Sequence, residues 1–404
     1  MSRKWVEEEG RHWVDRGIIS EEQYGQIVAL YPHKKIVSER LPIFAAILVG
    51  AGILTFIASN WSAIPQLIRL LMILFAMGGF YWFGYRKEKR GAQALGLSLI
   101  ALGIITFGAG IFLIGQMFHL VAYDARAFII WSLPAIALVW MYRSRWLYFL
   151  ALFIVDAGQV YSAISFQQVS WLLLVLLLLG TGGYALRHSG RAVFASLVSS
   201  ILLHSLLYLI TESQAIGWLA LIAAALYAAL DWLPNRRTRM AGQLAALVSA
   251  FFLAVFFIFL LGEMDREPVP NPAVFLVLFA FTFALSFFGK RKHKETVALL
   301  EWFIFLPFFY WESAGDVMYL LVLFVFSGYL LWIGYREEGS GRVNAGTLLF
   351  LLSTFIGYIQ VAWDFLPKSL FFLVGGLLLF ALNWFLQRQR RKLLEGNGRG
   401  GGRT

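Results

Sequence analysis

The sequence predicts an all-α, polytopic integral membrane protein. It has about 14 transmembrane helices, both termini in the cytoplasm and a short helical hairpin at the N-terminus. Three observations predict it. Hydrophobic residues make up 60% of the 404 residues and charged ones only 14%, against about 25% charged in soluble domains. Apolar runs of the ~20 residues that a bilayer core demands recur almost to the C-terminus. The connections between those runs alternate between basic and nearly neutral.

Residues 1–40 are polar and too long for the charged start of a signal peptide, so no cleaved signal is expected. Trp5, Val6 and Trp13 alternate with charges in a first helix that Gly17 can stop. Ser20 and Gln23 have capping-box spacing and open a second helix with Tyr24, Ile27, Val28 and Tyr31 on one face. This hairpin is expected to pack at the cytoplasmic side, where it could dock a partner protein.

A transmembrane domain over 41–388 follows, then a basic and disordered tail over 389–404. The spans fall at roughly 42–59, 66–85, 91–118, 127–142, 146–164, 168–186, 192–210, 215–233, 241–261, 273–289, 297–311, 317–335, 345–363 and 369–387. In the third, Gly96, Gly103 and Gly110 repeat every seven residues, a line along which a neighbouring backbone can approach. The eleventh is short and carries Glu301 and Pro307.

Even-numbered spans end at RKEKR, RSR, RHSGR, NRRTR, KRKHK, REEGSGR and QRQRRK. Of 34 Lys and Arg, only Arg69, Arg126, Arg266 and Lys368 fall on the other side. The positive-inside bias therefore places both termini in the cytoplasm. Basic residues confined to short clusters between spans argue against nucleic acid as a partner and for the lipid bilayer.

Pro134 and Pro307 fall inside the fourth and eleventh spans, where proline kinks a helix. Those spans would be equivalent in two inverted halves, although the halves share no clear residue similarity. Ionisable residues inside a membrane point to function, because each costs at least ~2.5–3.5 kcal/mol near the bilayer centre. Asp156, with Gln159 one turn on, and His204, beside Ser196, Ser199 and Ser200, lie midway along the fifth and seventh spans. If those helices touch, Asp156, Gln159, Ser200 and His204 line a proton-responsive polar cluster; the plainer alternative is a hydrogen-bonded clamp. Asp231, Glu301 and Asn383 lie near helix ends, where snorkelling to the interface explains them.

A second polar group gathers where odd-numbered spans end: Asn60 and Trp61, then Gln116, His119, Asp124 and Arg126, then Tyr358, Gln360, Trp363 and Asp364. Gln116 and His119, three apart, are expected on one helix face. The group is either an interfacial belt with caps or a site for a polar head group or small solute. No HExxH or GxSxG motif is present, Cys is absent, and the six His form no cluster at metal-ligand spacing. Catalysis, metals and cofactors are not expected.

The run IASNW (Ile57–Trp61), the stretch GQMFHL…D…W from Gly115 to Trp131 and the close VNAGTLLFLL…WDFLPKSLFFLVGGLLLF…RRK resemble predicted membrane proteins of domain-of-unknown-function family 2157. The likeness covers roughly 5–145 and, more loosely, the last third. It implies a bacterial inner-membrane protein and no established activity. The leading expectation is a transporter or flippase-like carrier of a small or lipid-linked solute, proton-coupled through Asp156 and His204. The alternative is a scaffold or sensor that binds a cytoplasmic protein through residues 1–40.

Overall fold

The computed structural model describes residues 3–29, 36–59, 64–188, 190–260, 269, 271–294, 299–311, 314–336, 340–362, 368, 370, 372–378 and 380–381. Every regular element among them is helical. The chain forms two compact units, 1–121 and 122–404, a boundary inside the stretch expected as one transmembrane domain. The tail 389–404 lies outside the described residues, as do Asn60, Trp61, Trp363, Asp364 and Asn383.

Unit 1 opens with α1 (Arg3–Asp15) and α2 (Glu21–Ala29). Gly17 ends α1 at φ 69°, a left-handed conformation natural to glycine. There Ile18 N–H reaches back to Trp13 O and Gly17 N–H to Val14 O, both at 2.9 Å, which satisfies carbonyls the helix end would orphan. The capping box forms as expected. Gln23 N–H donates to Ser20 Oγ at 3.2 Å, and Ser20 N–H donates to Gln23 Oε1 at 2.9 Å. Ser20→Ala should weaken the start of α2 by about 1 kcal/mol. Hydrogen exchange at Gln23 and Tyr24 should then accelerate about fivefold; unchanged exchange would contradict the cap.

Three apolar helices complete the unit: α3 (Ile36–Ser59), α4 (Gln66–Lys89) and α5 (Gln93–Met117). α4 and α5 form an antiparallel hairpin turned at Gly91, φ 85°. The seven-residue glycine line is the contact. A Cβ on Gly96 would lie 2.6 Å from Glu88 N, one on Gly103 2.6 Å from the Tyr81 ring, and one on Gly110 3.2 Å from Ile73 Cγ2. α3 packs on α5 where Gly50 faces Leu102.

Unit 2 contains α6 (Arg126–Tyr142) and α7 (Arg145–Phe166), then α8 (Trp171–Val175) running through a π-helical turn, Leu176–Gly182, into α9 (Gly183–Arg187). It continues with α10 (Arg191–Thr211), α11 (Trp218–Leu230), α12 (Arg236–Leu260), α13 (Pro272–Lys292), α14 (Leu299–Trp302), α15 (Gly315–Arg336) and α16 (Ser340–Ala362). α12 packs on α10, α11 and α15, and its Ala246, Ala250, Phe251, Ala254 and Phe257 are buried. At the π turn Trp140 Nε1 donates to Gly180 O at 3.0 Å, tying α6 to the widened backbone.

Among the described residues, eight helices are long and apolar enough to cross a membrane, and three apolar helical segments are shorter. The expected eleventh span is a correction. After the single turn of α14 the backbone makes two 3-10 turns, Phe303–Phe305 and Phe308–Tyr310, instead of a continuous helix. Pro307, at φ −82° and ψ 62°, separates the two, so it is no kink within a helix. It has no N–H to donate, and Leu306 before it takes the extended conformation that proline imposes on its predecessor. Pro134 does lie inside α6.

Candidate functional site

α7 and α10 run parallel, pinned near their starts by the Tyr148 hydroxyl, which donates to Val193 O at 3.0 Å. Two turns further on, each helix contributes polar side chains to a shared cluster. Ser200 Oγ donates to Asp156 Oδ2 at 2.7 Å. His204 Nε2 stands 3.2 Å from Asp156 Oδ1, with side-chain exposures of 2% for the His and 21% for the Asp. Asp156 lies eleven residues into α7, about 17 Å along it at 1.5 Å per residue. The expected partnership of the fifth and seventh spans therefore exists, at mid-helix depth.

Gln159, one turn beyond Asp156, is 0% exposed. Neither atom of its amide has a protein partner, and the Oγ of buried Ser162, another turn on, has none either. An unsatisfied buried amide or hydroxyl costs about 1–3 kcal/mol, so such groups ordinarily hold water or a ligand. Asp156, Gln159 and Ser162 form a slanted i, i+3, i+6 row leading away from the helix start. The serine stripe of α10 splits. Ser200 joins Asp156, Ser196 Oγ donates to Val193 O at 2.9 Å, and Ser199 is exposed. Asp156 Oδ1 and His204 Nε2 lie close without forming a hydrogen bond, so the carboxyl group, the imidazole and the hydroxyl and amide groups alongside retain unused capacity to bind a polar group. Among the described residues no three His, Asp or Glu side chains converge as metal ligands would.

The second expected group has a different character. α5 ends at Met117, and His119 lies beyond its cap in the left-handed conformation, φ 49°. Leu120 N–H closes that end on Gly115 O at 2.8 Å. Gln116 and His119 therefore do not share a helix face; both are exposed, and His119 terminates the helix. Asp124 and Arg126 pair locally, Nε to Oδ2 at 2.8 Å, and Asp124 Oδ1 accepts the Arg126 N–H at 2.9 Å. An exposed pair of this kind contributes little energy. Gln360 donates to Asp316 Oδ2 at 3.2 Å, linking α16 to α15.

A second buried network corrects the snorkelling expectation. Asp231, just past α11, is 0% exposed. Its Oδ1 accepts from Gln243 Nε2 at 2.6 Å and faces Lys290 Nζ at 3.1 Å, while Ser286 Oγ donates to Oδ2. Lys290 also lies 5.0 Å from the centroid of the Tyr227 ring, and the Tyr227 hydroxyl donates to Glu301. Gly289 makes this possible, since a Cβ there would stand 2.8 Å from Asp231 Cβ. The sequence signal was a carboxylate beside a basic connection, which looks the same whether it reaches water or a buried lysine.

Where basic connections meet the helices, cations cover aromatic rings. Arg86 lies over Trp82 at 4.0 Å, Lys89 over Tyr85 at 4.7 Å, Arg187 over Trp140 at 5.3 Å, Lys292 over Trp232 at 5.3 Å and Arg336 over Trp332 at 5.4 Å. Aromatic rings with basic side chains are the anchors of a membrane–water boundary.

Residues 11–148 match the model of a family described as "Predicted membrane protein (DUF2157)". The match accords with the likeness read over 5–145 and ends short of the last third. No curated protein and no solved structure matches the chain.

Proposed function

We propose that this membrane protein is a carrier in a bacterial cytoplasmic membrane, moving a small or lipid-linked polar solute in exchange for, or together with, protons. The observation that carries this reading is the Asp156–His204–Ser200 cluster at mid-helix depth, continued by the unpartnered Gln159 amide. A mere clamp would not need an amide left with both atoms unused. About fourteen passes with both termini in the cytoplasm follow from the alternation of basic connections. The cation-covered Trp rings at those connections support a membrane–water boundary there.

Because the chain has no Cys, single cysteines report water access directly. Gln159→Cys, Ser162→Cys and Ser200→Cys should react with a membrane-impermeant thiol reagent added from the side opposite the basic connections. Silence at all three, while Ser62→Cys reacts, would sink the carrier reading. The scaffold reading is favoured by one observation, that α1 and α2 carry their own stop and cap. In that case deletion of residues 1–40 would abolish the cellular role and Asp156→Asn would leave it intact; a carrier requires the reverse.

A further inference from the structure

The Asp231 network lies at the basic end of unit 2. It joins the end of α11, the second and third turns of α12, the last turns of α13 and the interrupted segment 299–311. We propose that Asp231 and Lys290, with Gln243, Ser286, Tyr227 and Glu301, form a latch that closes the basic end of the solute pathway. This rests on the carrier reading above.

Three observations carry it. First, the pair is fully enclosed, and Asp231 takes a partner from each of α12 and α13. A buried ion pair is a poor source of net stability, because apolar side chains of the same volume would do as well or better. What it supplies instead is two discrete states. Closed, the charges satisfy each other; open, water hydrates each of them, so separation is penalised far less than the loss of apolar packing would be.

Second, the network reaches the interrupted segment 299–311 by polar and ring contacts as well as by packing. Lys290 rests on the Tyr227 ring, and the Tyr227 hydroxyl holds Glu301 at the head of the interrupted segment. Short 3-10 turns divided at Pro307 can shift without breaking a continuous helical ladder. Discontinuous helices of this kind line the sites of transporters, at the boundary between the bodies that move. Third, a neighbouring cation has a backbone partner of its own. Arg239 is buried nearby but donates to Leu233 O at 2.9 Å. Arg237 is exposed.

The test uses the full chain in oriented membrane vesicles, with Ala246→Cys as the reporter. Ala246 is 0% exposed and lies one turn beyond Gln243 on α12. Arg237→Cys identifies the basic side by reacting in every background. With the latch intact, Ala246→Cys should react slowly from that side. The neutral double variant Asp231→Asn/Lys290→Met keeps an Oδ1 acceptor for Gln243, lets the Ser286 hydroxyl turn to accept from the new amide, and leaves neither member of the pair charged without the other; labelling should rise about tenfold or more. Unchanged labelling in that variant overturns the latch. So does its failure to give monodisperse protein, since the network would then be a requirement of packing. If Gln159→Cys is silent from the far side while Ala246→Cys accelerates, the carrier reading fails alone, and the latch stands as an opening of the basic end.

Discussion

Gly96→Val is expected to disrupt the α4–α5 hairpin more than any other single substitution in unit 1. A Cβ at residue 96 would meet Glu88 N at 2.6 Å, Glu88 Cβ at 2.7 Å and Glu88 Cα at 2.8 Å. Two of those three atoms are backbone, so no rotamer change relieves the overlap, and α4 must move away from α5 along its length. Helices in lipid gain little from hydrophobic association, so close packing is most of what holds such a pair together. Overpacking typically costs about 1–3 kcal/mol, and a backbone clash belongs at or above the top of that range. Thermal unfolding in detergent measures it, with Gly78→Val as control. Gly78 is exposed on α4, a Cβ there meets nothing within 4 Å, and its melting temperature should barely move. Equal effects at the two positions would mean that the glycine line is not the contact.

Lys290→Met should destabilise unit 2 by about 3–5 kcal/mol, because it leaves the Asp231 carboxylate enclosed and without its cation. Ser286 and Gln243 still donate to it, but neutral donors do not replace a charge out of water. Adding Asp231→Asn should recover most of the loss, since neither member of the pair is then left charged without the other. The difference between single and double variants isolates the pairing. It reads as a large fall and a large return in detergent melting temperature. If the double variant melts as low as the single, the two side chains are not energetically coupled.

Several local features were legible because they depend on neighbours in the chain. The Gly17 stop and the Ser20–Gln23 cap are written in three- to six-residue patterns, and the structure forms both. The limits of α4 to α7 and of α10 lie within a few residues of the apolar runs that predict them. Segment 299–311 misled because a fifteen-residue apolar run has a helix's composition, whereas Pro307 and enclosure among aromatic rings such as Phe275, Phe279 and Tyr319 permit an irregular backbone. His119 misled because spacing alone does not show that the helix has already ended at Met117.

What the sequence by itself determined is the membrane class, the succession of apolar helices, the glycine face of α5 and the mid-helix placement of Asp156 and His204. Each follows from local composition and period, which the chain carries wherever it folds. Only the tertiary structure decided that α7 lies parallel to α10, so that Asp156 meets Ser200 and His204. It also decided that Asp231 finds Lys290 in the interior instead of water at the interface. The physical reason is common to both. Lipid and protein interior are equally apolar, so a side chain's hydrophobicity does not reveal which of them it faces. A polar residue's partner, far along the chain, is chosen by how the helices pack.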